Sequence, residues 1–270
     1  MNANAERPIL EVEGLVRHFG GVAAVAGATF DVREGSVTAL IGPNGAGKTT
    51  LFNLISGFYR PERGTIRFAG EQIDGKRPHW IAHRGLVRTF QITKSLARMT
   101  VLENVMLAAP DQPGEQAWRV LATPGAVRSR EREVRHRAHE LLKLVRLDAL
   151  ADDYAGTLSG GQRKLLEFAR ALMSSPTMVM LDEPMAGVNP SLGLQLLEHM
   201  QTLRDDLGMT FLLIEHDMEV VMTVSERVIV MNDGRVIADG RPSEVRVDEQ
   251  VIEAYLGAHT EQDGVEGRTA

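Results

Sequence analysis

Short apolar runs broken by glycine dominate the first quarter of the chain. Positions 9–16, 22–32, 36–41 and 65–68 are rich in Val, Ile, Thr and Phe, and the turn-like PERG at 61–64 precedes the last of them. Such runs, bounded by turn residues, predict β-strands. Between the third and fourth runs lies GPNGAGKTTLFNLISGF, a Gly-rich loop entering an apolar helix. From about Val101 to Arg146 the strand pattern disappears. Val134, Ala138, Leu141, Leu142 and Val145 recur at helical spacing with Arg and Glu opposite them, which predicts an amphipathic helix. Pro110, Pro113 and Pro124, with Gly114 and Gly125, divide this stretch into more than one helix. After Ser159 the pattern alternates. A helix over 162–173 leads to an apolar strand at 178–181, and a second helix over 192–207 leads to a strand at 211–214. Runs 227–231 and 235–238 flank NDG and predict a hairpin. Apolar strands alternating with helices predict a parallel sheet covered on both faces.

Composition narrows the class without naming a reaction. With 270 residues and 43% hydrophobic content, the chain can bury one sizeable core or two joined lobes. A formal charge of −6 offers no basic excess for nucleic acid, so no nucleic-acid partner is expected. Seven Arg or Lys between Arg128 and Arg146 are read as the solvated face of a helix. The absence of cysteine excludes disulfides, thiol catalysis and Cys-based zinc sites. No apolar run approaches the roughly 20 residues that span a bilayer, and the N-terminus lacks the pattern of a signal peptide. Any role at a membrane is therefore expected of a soluble subunit held there by partners. Residues 259–270 form a polar tail expected to be loose.

Three local patterns carry phosphate chemistry. Gly42, Pro43, Asn44, Gly45, Ala46, Gly47, Lys48 and Thr49 fit G-x-x-x-x-G-K-[ST], with an apolar strand before and an apolar helix from Thr50 onward. The glycines let successive N–H groups face an anion at a helix N-terminus; Lys48 adds a cation for the β- and γ-phosphates, and the Thr49 hydroxyl can join a Mg²⁺ shell. MVMLDEP puts Asp182 and Glu183 at the C-terminal end of an apolar strand, the edge where open α/β sheets collect ligands. Adjacent carboxylates repel each other unless a cation and a water share the site. Asp182 then holds Mg²⁺ through its water shell and Glu183 accepts a proton from the attacking water. Leu158-Ser159-Gly160-Gly161-Gln162 supplies a second anion-binding device, with Ser159 as the N-cap and two glycines at the positive end of a helix.

LSGGQ, in order after the P-loop and before the Asp-Glu pair, resembles the ATP-binding cassette family, and the resemblance covers roughly residues 8–258. It implies an α/β P-loop NTPase fold: a RecA-like parallel-sheet core, an N-terminal antiparallel β subdomain, and a helical subdomain inserted at about 95–165. It also implies that Ser159, Gly160, Gly161 and Gln162 of one subunit complete the ATP site of another. By the same resemblance Phe19, in RHFGG, stacks on adenine, and the ATP site runs from Gly42 to Thr50. Gln91, in RTFQ, is a Mg²⁺ ligand that reports to a transmembrane partner. His216, in LLIEHDM, contacts the γ-phosphate and joins Glu183 and Lys48 in catalysis. One departure stands in PMAGVNP, where Asn189 replaces the Asp of many cassettes while keeping hydrogen-bonding capacity.

RTFQ, TVLENV at 100–105, the long basic helical segment, DEPMAGVNP, IEHDM and VIEAYLG together are similar to the larger ATPase subunit of branched-chain amino-acid importers. Urea or short-amide importers share most of these features, and the lipopolysaccharide-export ATPase shares some. The implied cofactors are ATP and Mg²⁺. The implied partners are a sister ATPase in a heterodimer, two transmembrane permeases and, indirectly, a solute-binding protein, at the cytoplasmic face of a bacterial or archaeal membrane. Both halves of the ATP site are intact here, so a homodimer is chemically allowed. A soluble ABC ATPase of DNA repair or translation is the competing class. The stretch from Thr49 to Ser159 is too short for the long coiled coils of repair proteins, and the translational type carries two cassettes where this chain has one. A P-loop kinase or GTPase leaves LSGGQ and His216 without a role.

Overall fold

The computed structural model describes residues 8–89, 96–110 and 124–256. The chain divides into two compact units: one combines the stretch up to Arg88, Thr177–Glu183 and the stretch from Gln201 on, and the other takes Thr89–Pro176 and Pro184–Met200.

The first unit holds two sheets. Strands β1 (Pro8–Phe19), β2 (Val22–Arg33), β4 (Arg63–Phe68) and β5 (Glu71–Gln72) form an antiparallel sheet in the order β2-β1-β4-β5. Strands β3 (Val37–Ile41), β6 (Leu86–Arg88), β7 (Met178–Asp182), β8 (Thr210–Ile214), β9 (Arg227–Asn232) and β10 (Arg235–Gly240) form the other, in the order β10-β9-β3-β8-β7-β6. All its pairings are parallel except β9–β10, the hairpin expected about NDG. Every residue of β3, β7 and β8 is buried, as continuous apolar strands covered on both faces must be. The run 36–41, grouped by sequence with the N-terminal strands, is β3 at the middle of the parallel sheet, between β9 and β8. Strand β6, three residues long, carries no periodicity to read and was not expected.

Helix α1 (Lys48–Ile55) supplies Leu51, Phe52, Leu54 and Ile55 to a core shared with Leu10, Val12, Phe30, Ile66 and Phe68 of the antiparallel sheet and with Leu40, Met180, Leu212 and Ile214 of the parallel one. Short helices α2 (Pro78–His83), α7 (Met218–Val224) and α8 (Pro242–Val245) and a last helical stretch at 249–256 complete the unit. Arg227 ties its layers, donating to Asp31 of β2 at 2.9 Å and to Asp239 of β10 at 2.6 Å.

The second unit is helical. Helices α3 (Val101–Met106), α4 (Pro124–Leu144) and α5 (Gly160–Met173) pack on one another, and α6 (Pro190–Leu207) begins here and ends in the first unit. Val134, Ala138, Leu141, Leu142 and Val145 are all buried, the face that helical spacing predicted. Thr100 and Glu103 close a capping box at the start of α3, with bonds of 3.1 and 2.8 Å.

Candidate active site

The parallel register decides which loops meet. Leu40 lies opposite Ile214, and Ile214 lies opposite Asp182. Strands β3, β8 and β7 therefore end level, and the loops that follow them carry the P-loop, His216 and Glu183. The P-loop, Asp182, Glu183 and His216 thus share one sheet edge.

The P-loop is shaped by what lies behind it. Gly42 has φ +146, and a Cβ there would collide with the Met231 carbonyl of β9. Gly47 has φ +98, and its Cβ would strike the Ala24 carbonyl of β2. Only glycine satisfies both the backbone angle and the space. Ala46 is buried and its carbonyl accepts from the Gly234 N–H at 3.1 Å, while Asn44 and Gly45 are exposed. The first helical bond runs from the Leu51 N–H to the Gly47 carbonyl at 2.9 Å, so the N–H groups of Lys48, Thr49 and Thr50 have no helical partner and mark the positive end of α1. Lys48 Nζ donates to the carbonyls of Gly42 and Pro43 at 2.6 and 2.9 Å. Burial pushes its pKa down, against the opposing pull of the Glu183 and Asp182 carboxylates. The Thr49 side chain is exposed.

Asp182 ends β7 at 4% exposure. Its Oδ2 accepts from Arg88 Nη2 at 2.7 Å, and its Oδ1 is buried with no hydrogen-bond partner. Glu183 follows with φ +48, a left-handed conformation that costs a non-glycine residue about 1–2 kcal/mol. The bond from its N–H to the Ile214 carbonyl, 3.0 Å, holds it there. Backbone strain of this kind gathers at functional sites, and here it lies where β7 ends. His216 is exposed just beyond β8, before Asp217, which caps α7 by accepting from the Glu219 N–H at 2.9 Å.

At the end of β1 Phe19 is 42% exposed, so it is not a core residue. The Tyr59 ring meets it edge-on at 5.2 Å, and the Arg17 guanidinium lies 5.0 Å from its centroid. Sequence reading found Phe19 and missed Tyr59 and Arg17. It also missed Tyr255 of the last helical stretch, whose hydroxyl is buried without a hydrogen bond; burial pushes this phenol up, opposed by the nearby Gly42 N–H. Gln91 lies outside the described residues.

The signature belongs to the helical unit. Ser159 caps α5: its Oγ accepts from the Gln162 N–H at 3.2 Å, and the Gln162 Oε1 accepts from the Ser159 N–H at 2.9 Å. Gly160 is exposed, whereas Gly161 is buried where a Cβ would press on Leu192 and Val188. The glycine at 161 is thus needed for close packing. Asn189 caps α6, its Oδ1 accepting from the Ser191 N–H at 3.0 Å and from the Ser191 hydroxyl at 2.8 Å.

Among the described residues no three His, Asp or Glu side chains converge to hold a metal by themselves. The donors at the edge, the Thr49 hydroxyl and the unpartnered Asp182 oxygen, suit a divalent cation that arrives with phosphate oxygens. A Gly-Lys-Thr cradle at a helix N-terminus, with acids two strands away across β8, defines a P-loop nucleoside triphosphatase. Residues 25–186 match the ABC transporter family, and residues 235–261 match the family described as branched-chain amino acid ATP-binding cassette transporter. The chain belongs to the ABC transporter family and is its ATP-binding, ATP-hydrolysing subunit.

It is 45% identical over 251 residues to the high-affinity branched-chain amino acid transport ATP-binding protein BraF of Pseudomonas aeruginosa, covering 93% of this chain and 98% of that one. It is 42% identical to a probable branched-chain amino acid transport ATP-binding protein of Archaeoglobus fulgidus, covering 93% and 96%. A nucleotide-free cassette from an ABC transporter superposes with a TM-score of 0.79 at 39% identity, over 92% of this chain and 99% of that one. An ADP-bound cassette superposes with a TM-score of 0.78 at 38% identity, over 93% and 99%.

Proposed function

We propose that this chain energises import of branched-chain amino acids, as one of two ATPase subunits docked on two permeases at the cytoplasmic face of a membrane. The observation that carries the reading is identity of 40–45% over nearly the whole chain to relatives named for that transport, joined by the C-terminal match at 235–261.

In the proposed cycle ATP lies in the P-loop from Gly42 to Thr50, with its adenine against Phe19. Lys48 leaves the loop carbonyls for the β- and γ-phosphates. Ser159, Gly160 and Gly161 of the facing subunit, with Gln162 holding the cap, close over the γ-phosphate. A magnesium ion bound with the nucleotide neutralises phosphate charge; Thr49, Asp182 and Gln91 are the residues that would hold it. Glu183 takes the proton of the attacking water, and His216 contacts the γ-phosphate. Neither half works alone, because donors from two chains must converge on one phosphate. The facing chain is a sister ATPase, and the segment around Gln91 passes closure to the permeases.

Reconstitution with the neighbouring permeases and sister ATPase in vesicles tests both levels. Leucine uptake that depends on ATP is expected, with an ATPase rate per subunit that falls on dilution. Uptake confined to urea or a short amide overturns the solute, and a full rate at concentrations where the chain is monomeric overturns the shared site.

A further inference from the structure

The P-loop, the carboxylates and His216 leave unexplained a cationic group buried beside them. Arg88, the last residue of β6, has a side chain 8% exposed against 1% for its partner Asp182. An ion pair this buried seldom gains stability over an apolar pair of the same volume, so stability alone does not account for it. Its geometry does. Nη2 holds Asp182 Oδ2 at 2.7 Å, Nη1 holds Asn53 Oδ1 at 2.7 Å and lies 3.4 Å from Ser56 Oγ, and the guanidinium sits 5.5 Å from the Phe52 ring centroid. Phe52 and Asn53 belong to α1, and Ser56 is its C-cap. Asn53 stands four positions after Thr49, one helical turn along the same face.

We propose that Arg88 is a positioning residue for the nucleotide-borne divalent cation: its planar fork fixes the Asp182 carboxylate to the helix that presents Thr49. With Oδ2 held, the carboxylate cannot rotate, and Oδ1 remains its one oxygen without a partner. The two protein donors for the cation then keep a constant separation before nucleotide arrives. A lysine cannot replace it, since one ammonium lacks the rigid pair of donors that spans a carboxylate and an amide. The proposal rests on the reading of Asp182 as a cation-holding residue.

The test is calorimetric titration of the full chain with ADP, with and without Mg²⁺, which needs no turnover. Outer-shell partners of metal sites typically change metal affinity 10–100-fold, so Arg88→Met is expected to cut the Mg²⁺-dependent gain in ADP affinity by about 10-fold. ADP affinity in EDTA stays within about 2-fold, because only the cation term is touched. Asn53→Ala keeps the ion pair but loosens the fork, and a smaller loss of about 3-fold is expected for one removed hydrogen bond. A purely structural role lowers both affinities together, and that outcome overturns the proposal. If Arg88→Met does not fold, Asn53→Ala decides, and a Mg²⁺ gain equal to wild type overturns it. Asp182→Asn separates the two levels: an unchanged Mg²⁺ gain there removes the Asp182 reading itself, while a loss there with none in the Arg88 and Asn53 variants removes only the fork.

Discussion

The loop before α1 and the loop before α5 both reach a helix N-terminus through glycines, yet they are finished differently. At α1 no side chain caps the helix, Lys48 turns back onto loop carbonyls, and two strands away Asp182 keeps a buried oxygen without a partner. Glu183 sits there in a left-handed backbone conformation. At α5 the capping box closes on itself, Ser159 with Gln162, and Gly161 is packed against Leu192. The first end leaves polar groups unpaired and stores strain, the condition of a surface that completes its bonding with a ligand. The second is locally satisfied and rigid, the condition of a part that presents a fixed helix end to something else. In the proposed cycle a triphosphate uses both: one end holds and cleaves it, the other caps it.

The strained end should respond most to a change in chemistry at constant shape. Glu183→Gln keeps the size and the backbone but removes the proton acceptor, so the steady-state ATPase rate should fall by about 10²–10⁴-fold. ATP affinity, measured by calorimetry, should stay near wild type, since ground-state contacts to phosphate come from the loop and Lys48. A variant that turns over at the wild-type rate breaks the comparison, because the strained position would then have no chemical task.

How much of this was legible in sequence follows from how local each feature is. The P-loop, the Asp-Glu pair at a strand end, the capped LSGGQ helix and the buried face of α4 all lie within one element and its flanks, and spacing alone exposed them. Arg88 was quoted within RTFQ but had no visible task, since its partner Asp182 is 94 residues away and the pairing exists only through the β6–β7 register. Tyr255 beside Gly42, and Tyr59 beside Phe19, are hidden for the same reason. The left-handed φ of Glu183 was invisible too, because no glycine or asparagine marks it. The sheet to which β3 belongs could not be read from sequence, because a short, fully buried run reads alike in either kind of sheet.

A smaller effect sharpens the binding half of the comparison. Phe19 is exposed beside Tyr59 and Arg17, so Phe19→Ala removes a stacking surface without opening a cavity. Loss of a base–aromatic stack costs about 1–3 kcal/mol, and ATP affinity should weaken by that amount in calorimetry. Thermal stability should hold. A variant that unfolds, or binds ATP as wild type does, would remove Phe19 from the site.

The smallest effect lies beside the signature, at Asn189, where many cassettes carry Asp. Both bonds that Asn189 makes through Oδ1 need only an acceptor, and an Asp carboxylate supplies one for the Ser191 N–H and hydroxyl alike. Helix α6 has no acidic residue in its first turn, so a negative charge at its N-cap meets the uncompensated positive end of the helix dipole. Asn189→Asp should therefore stabilise the chain by about 0.3–1 kcal/mol at low ionic strength, seen as a small rise in Tm. The gain should shrink in about 1 M salt, where screening is effective beyond roughly 3 Å. The ATPase rate with the sister subunit should stay within about 2-fold, since the capping geometry that fixes this loop is unchanged. A fall in stability would mean that the amide group makes a contact the carboxylate destroys. The loops around α5 and α6 would then be held by more than local caps, and the contrast with the strained sheet edge would narrow.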